Sequence, residues 1–119
     1  MSKQVMLNVS LTLNDGKADA FQAIARDMVE ASRKEPGTLG YEWYISSDGK
    51  RCQLIETYVD AEALLAHFAG PVVKEGVPKM MATVTVTGFQ VYGEPGRKAR
   101  DLLAGFGAEI FSHALGMNG

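Results

Sequence analysis

The chain holds one cysteine, one tryptophan, two histidines and four prolines in 119 residues. A lone cysteine, Cys52, forbids an internal disulfide and fits a reducing cytoplasm. Together with His67 and His113 it is too little, and too scattered, for a zinc centre, so no metal is expected. Neither sign of charge dominates: 12 Lys+Arg against 14 Asp+Glu leave a formal net charge of −2 and no basic stripe. A nucleic-acid backbone is therefore a poor partner. Long apolar runs are missing as well. The first ten residues, M-S-K-Q-V-M-L-N-V-S, alternate, which is the pattern of neither a signal peptide nor a membrane span. Gly105-x-Gly107 has Ile110 where a dinucleotide loop needs a third glycine, and neither a P-loop nor a Ser-His-Asp signature occurs.

What is present suits one domain. Hydrophobic residues make up 46% and charged residues 22%, ordinary for a globular chain long enough to build a core without staples. Val5, Leu7, Val9, Leu11 and Leu13 alternate with Met6, Asn8, Ser10 and Thr12, a strand with one buried face. Phe21, Ile24, Ala25, Met28 and Val29 recur at helical spacing between Lys17 and Ser32, and Glu35-Pro36-Gly37 stops that helix. Leu39 to Ser46 and Arg51 to Val59 read as two strands about a Ser47-Asp48-Gly49 turn. Leu39, Tyr41, Trp43 and Ile45 share a face of the first. Cys52, Leu54, Glu56 and Tyr58 share a face of the second, which sets a carboxylate among apolar neighbours. Such a group must be paired or have its proton affinity raised.

Asp60 is a good N-cap for a helix over Ala61 to Ala69, whose apolar stripe is Ala61, Leu64, Leu65 and Phe68, with His67 on its flank. A short irregular helix is expected over Val72 to Ala82, and a strand over Thr83 to Tyr92. Gly93-Glu94-Pro95-Gly96 is a turn that separates residues 1–95 from a tail, 96–119, of the same domain. Ala99, Leu102, Leu103, Phe106, Ile110, Ala114 and Leu115 predict a helix in that tail, weakened by Gly105 and Gly107. The order is that of an α+β, ferredoxin-like fold: split β-α-β, a four-stranded antiparallel sheet and helices on one face. The other face, carrying Met6, Ile55 and Phe89, would need a second copy to cover it, so a homodimer is expected.

Glu35-Pro36-Gly37, Gly40-Tyr41-Glu42, Glu56-x-Tyr58-x-Asp60, Ala63 and His67 together resemble the antibiotic biosynthesis monooxygenase family over about the first ninety residues. The resemblance implies a dimeric α+β barrel. It implies no single reaction, since relatives include cofactor-free oxygenases, haem-degrading enzymes and isomerases. The second histidine that many members carry five residues on is Val72 here. The haem-degrading branch has an Asn, Trp and His constellation. Here Asn8 could supply the first, His67 stands near the expected Trp, and no histidine follows between Val72 and Ala82, so a haem role is disfavoured.

Among the activities of the family it resembles, the first expectation is a cofactor-independent monooxygenase that oxidises a small aromatic quinol or polyphenol with O2. Such chemistry needs a base, a pocket that excludes water and donors for the substrate oxygens. His67 is the candidate base; the bland alternative is a half-buried histidine bonded to backbone. Glu56 would orient His67 or hold a substrate hydroxyl, or else pair with Lys50, Arg51 or a partner chain. Tyr41 and Trp43 would wall a planar substrate and Tyr58 would donate to it, or all three are core aromatics. Asn8 lines a cavity or meets a partner. Met6, Met28, Met80 and Met81 are flexible core filling that would also suit a pocket for aromatics. The pocket is expected between sheet and helices, His67 at its rim, with the tail helix capping it or clasping a second subunit. A non-oxidative isomerase or lyase, and a non-catalytic module binding a hydrophobic metabolite, are the alternatives.

Overall fold

The computed structural model describes residues 3–117; positions 1–2 and 118–119, the ends of the two predicted regions, lie outside them. The chain runs β1 (Val5–Leu13), α1 (Ala18–Ser32), β2 (Thr38–Ile45), β3 (Arg51–Tyr58), α2 (Ala61–Ala69), a π-helical turn (Val72–Gly76), α3 (Val77–Met81), β4 (Val84–Tyr92), α4 (Gly96–Ala104) and β5 (Glu109–Phe111). The sheet order is β2-β3-β1-β4-β5, antiparallel up to β4 and parallel from β4 to β5.

Alternation in β1 has its expected result. Val5, Leu7, Val9 and Leu11 are buried beneath the helices while Met6 is exposed on the open face. The same helix-covered face takes Cys52, Leu54, Glu56 and Tyr58 from β3, each against a β1 residue of matching phase. Asp60 caps α2 as predicted, its carboxylate accepting from the Ala63 N–H at 2.9 Å, worth about 1 kcal/mol. Leu64, fully buried one turn on, adds roughly 1.5–3 kcal/mol.

Two expectations fail at β-bulges. Leu39 is the extra residue where β2 shifts register between Thr38 and Gly40, and it is 54% exposed instead of facing the core with Tyr41 and Trp43. In β4, Val86 pairs with Leu11 but Phe89 pairs with Val9, so three steps along β4 match two along β1. The extra residue turns Phe89 and Val91 under the helices. Phe89 therefore does not belong with Met6 and Ile55 on the open face.

The tail differs too. α4 buries Ala99 and Leu103, but it ends at Ala104 instead of running to Leu115. Gly107 adopts φ +75°, a conformation that side chains rarely take, and the chain turns back. Ile110 then pairs with Val91, adding a fifth strand to the four expected.

Two apolar clusters lie between sheet and helices. One gathers Val9, Leu11, Phe21, Met28, Tyr41 and Met80, the other Leu7, Tyr58, Leu64, Val91 and Leu103. Glu56 sits between Leu54 of the first and Tyr58 of the second, at the seam.

Candidate active site

The turn Glu35-Pro36-Gly37 does more than stop α1. The Gly37 carbonyl accepts from the Val59 N–H at 2.9 Å, and a Cβ on Gly37 would lie 2.4 Å from the Ala63 Cβ. Only a glycine lets this turn lie against the start of α2. That approach carries Glu35 to His67, one helical turn beyond Ala63. The His67 Nδ1–H donates to Glu35 Oε1 at 2.7 Å, and the Thr38 hydroxyl donates to the same oxygen at 2.8 Å.

On its other side His67 Nε2 lies 3.6 Å from Glu56 Oε1, in ion-pair range but too long for a hydrogen bond. The Tyr58 hydroxyl donates to that same Glu56 oxygen. His67 is thus a buried imidazole between two carboxyl groups, ringed by Tyr41, Tyr58 and Phe68 with centroids 5.2–5.7 Å away. The hydrogen bond to Glu35 puts the proton on Nδ1 and turns Nε2 toward Glu56.

The two carboxyl groups have different surroundings. Glu35 keeps 21% of its side chain exposed, whereas Glu56 keeps 6%. Burial pushes the Glu56 carboxyl above the ordinary carboxylate range, opposed by the His67 charge and the Tyr58 hydrogen bond. Burial is also the first cause raising the Tyr41 and Tyr58 hydroxyls, with Glu56 adding to it, so both phenols stay protonated. Glu56 does not pair with Lys50 or Arg51.

Glu56 and His67 line a cavity of about 320 Å³ between sheet and helices. Val9, Leu11, Leu54, Val86 and Phe89 form its floor on the sheet. Met28, Val77, Met80 and Met81 face it from the helices, and Phe68 and Phe106 close a side. Met81, Val86 and Phe106 are more than 40% exposed and mark its mouth.

The structure brings His67, Glu56, Tyr41 and Trp43 to this cavity. His67 is in the wall, 2% exposed, and not at the rim. Tyr58 stands behind Glu56 and is not a lining residue; it would act on a ligand through Glu56. Asn8 is on the open face of the sheet, opposite Ile55 and Gln90, and does not line the cavity. Glu35 and Phe106 were missed as site residues. Glu35 was read as part of a helix stop, and the signal was its place in the same motif set as His67. Phe106 looked like one more apolar position in a helix. No three His, Cys, Asp or Glu side chains among the described residues are placed to hold a metal ion together, and no helix among them is long and apolar enough to cross a membrane.

A family model described as antibiotic biosynthesis monooxygenase matches residues 4–79. No curated protein matches the chain. Among solved structures, MupZ from Pseudomonas fluorescens superposes with a TM-score of 0.87 at 22% identity, covering 99% of this chain and 96% of that one. SnoaB of Streptomyces nogalater, a cofactor-independent oxygenase, gives 0.69 at 14% identity over 81% of this chain and 97% of its own. A conserved protein of Methanosarcina mazei Go1 gives 0.69 at 17% identity over 75% and 90%. At these identities the likeness concerns the fold.

Proposed function

The chain belongs to the antibiotic biosynthesis monooxygenase family, and from that premise we propose that it is a cofactor-independent monooxygenase oxidising a small aromatic quinol or polyphenol with O2. The observation that carries this reading is the buried Glu35–His67–Glu56 array opening on an apolar cavity.

The array suits the proton movements of the reaction. His67 Nε2 takes a proton from a ring hydroxyl; Glu35, bonded to Nδ1, holds the imidazole in the tautomer that leaves Nε2 free to accept it. The electron-rich anion then gives electrons to O2, and a carbon–oxygen bond forms at a ring carbon, leaving a peroxide. Breaking the O–O bond as that carbon loses its hydrogen makes a new carbonyl. One oxygen stays on the product and the other leaves as water. The substrate supplies every electron, so a hydroquinone and O2 become a hydroxyquinone and H2O. Glu56, holding its proton to a higher pH than an ordinary carboxyl, returns one to the departing oxygen. Tyr58 keeps Glu56 in place, and Tyr41 and Trp43 flank the ring. Apolar walls exclude water from the anion and peroxide.

A second reading, a non-oxidative isomerase or lyase, draws on the same array. An acid and a base side by side at one end of a cavity, 3.6 Å apart, can move a proton without any oxygen. Oxygen uptake with a panel of hydroquinones separates the two. The oxygenase consumes O2 and places one ¹⁸O atom from ¹⁸O2 in the product; a substrate transformed equally well under argon sinks that reading.

We also propose that the chain works as a homodimer in the cytoplasm. Support comes from the open sheet face, where Met6 and Tyr92 are about 40% exposed and the buried Asn8 Oδ1 has no hydrogen-bond partner among the described residues. A second copy would cover Met6 and Tyr92 and, with the Asn8 amide turned outward, supply a donor to its oxygen. A monomeric mass by light scattering at micromolar concentration would end this proposal.

A further inference from the structure

The cavity is polar at one end and apolar at the other. Tyr41 and Glu56 are cross-strand partners on β2 and β3, and Trp43 is the next inward residue along β2. His67 stands over Glu56. Every polar lining residue is therefore over β2 and β3. Across β1, on β4, the lining is Val86 and Phe89, faced by Phe106 with ring centroids 6.4 Å apart. From β3 to β4 is two strand spacings, roughly 10 Å. The lining residues between are valine, leucine, methionine and phenylalanine, none able to bond a hydroxyl.

Phe106 stands at the far end, where it narrows the mouth. It stands between Gly105 and Gly107, touches Phe68 of α2 at 5.5 Å, and is 46% exposed at the mouth. It also comes from the tail, beyond the residues 4–79 that match the family model.

We propose that the cavity takes a ligand with its oxygen functions at one end and an apolar body of up to about 10 Å, and that Phe106 sets the length of that body. This rests on reading the cavity as the substrate site. Within the proposed substrate class it selects a quinol carrying a hydrocarbon substituent over a polyhydroxylated ring system. The quinol oxygens sit at Glu56 and His67. A hydroxyl placed over β1, between the polar end and the mouth, would lose its water and gain nothing in return.

The test is equilibrium binding under argon, read by quenching of Trp43, the chain's lone tryptophan and a lining residue. The probes are 2-alkylhydroquinones from methyl to decyl, and 1,2,3-trihydroxybenzene with its further hydroxylated analogues. The expected Kd falls about fourfold per methylene while the chain still enters the cavity, then stops falling. Each hydroxyl added away from the head weakens binding roughly tenfold. Phe106→Ala moves the break to longer chains and Phe106→Trp moves it to shorter ones; circular dichroism confirms both folds. A Kd indifferent to chain length, polyhydroxylated rings that bind as tightly as alkylated ones, or a break unmoved by both variants would overturn the proposal. Chain-length-dependent binding with no O2 consumed would instead refute the oxygenase reading and leave this one standing.

Discussion

Replacing Glu56 by glutamine tests the site through stability as well as turnover. The side chain is 6% exposed, and burial raises its folded-state pKa above the ordinary carboxylate range. A raised pKa means that the folded state binds the proton more tightly than the unfolded one. The contribution to stability is then fully present below the unfolded value, about 4.3, and is lost as pH rises through the folded value. Each unit of difference corresponds to about 1.4 kcal/mol. Glutamine carries no charge to desolvate, and its Oε1 can still accept from the Tyr58 hydroxyl. An unfolding entropy of about 2.1 cal/mol/K per residue gives roughly 0.25 kcal/mol/K for a chain this long, so 1 kcal/mol moves Tm by about 4 °C. Scanning calorimetry of both proteins from pH 4 to 8 isolates the effect, because other carboxylates cancel in the difference. Tm of Glu56→Gln minus that of wild type should be near zero at pH 4 and grow to several degrees by pH 8. Turnover should meanwhile fall by about 10²–10⁴. If wild type instead gains on the variant as pH rises, Glu56 is a stabilising ionised partner of His67 and its role as a proton donor is wrong.

Other outcomes follow from the same geometry. His67→Ala should lower hydroquinone-dependent O2 uptake by about 10²–10⁴; unchanged uptake would remove His67 from the reaction. Glu35→Ala should release Nδ1, so that ¹⁵N spectra of His67 change from one dominant tautomer to a mixture, while Glu35→Gln, which keeps an acceptor, should largely retain the wild-type pattern. Gly37→Ala meets the Ala63 Cβ at 2.4 Å, with nothing flexible to yield, and should cost about 1–3 kcal/mol in denaturant melts. Gly76→Ala meets the flexible side chain of Met28 at 2.8 Å and should cost less. Cys52, 1% exposed and with its thiol pushed up to about 11 by burial, should react with a thiol reagent no faster than the protein unfolds.

Features governed by nearby residues were legible in the sequence. The alternation of β1 and the Asp60 cap depend on neighbours within a turn or a strand, and both stand as read; of the expected stripe Ala61, Leu64, Leu65 and Phe68 only Leu64 is buried, and His67 is buried beside it instead of on the flank. The seat of Glu56 among apolar side chains was readable for the same reason. Its partner was not. Glu35 and His67 are 32 residues apart, and they meet because Gly37 leaves room for Ala63. No periodicity records a missing Cβ at a close approach. The tail misled for a related reason: Ile110 fits the helical spacing of Ala99 and Leu103, yet Gly107 at φ +75° turns the chain and spends that apolar residue on a strand beside Val91.

The single residue inserted into β4 has the largest consequence for the site. Strict alternation from Val84 and Val86 would carry Gly88, Gln90 and Tyr92 under the helices and leave Phe89 outside. Gly88 would then face Val9 where the cavity has the Phe89 ring, and the far end would lose its aromatic floor. The register shift beside Ser10 exchanges those roles. It falls next to Gly88, where a Cβ would crowd the Ser10 hydroxyl and the Gln90 amide at 3.3 Å. One extra residue thus gives the far end of the cavity the ring that meets Phe106, against which the apolar body inferred above would lie. Because Thr87 is the extra residue, deleting it should leave Phe89 opposite Val9 and preserve the gain in affinity with alkyl length, whereas Phe89→Gln, which sets an amide at that end, should lose the gain before it loses binding of the bare quinol.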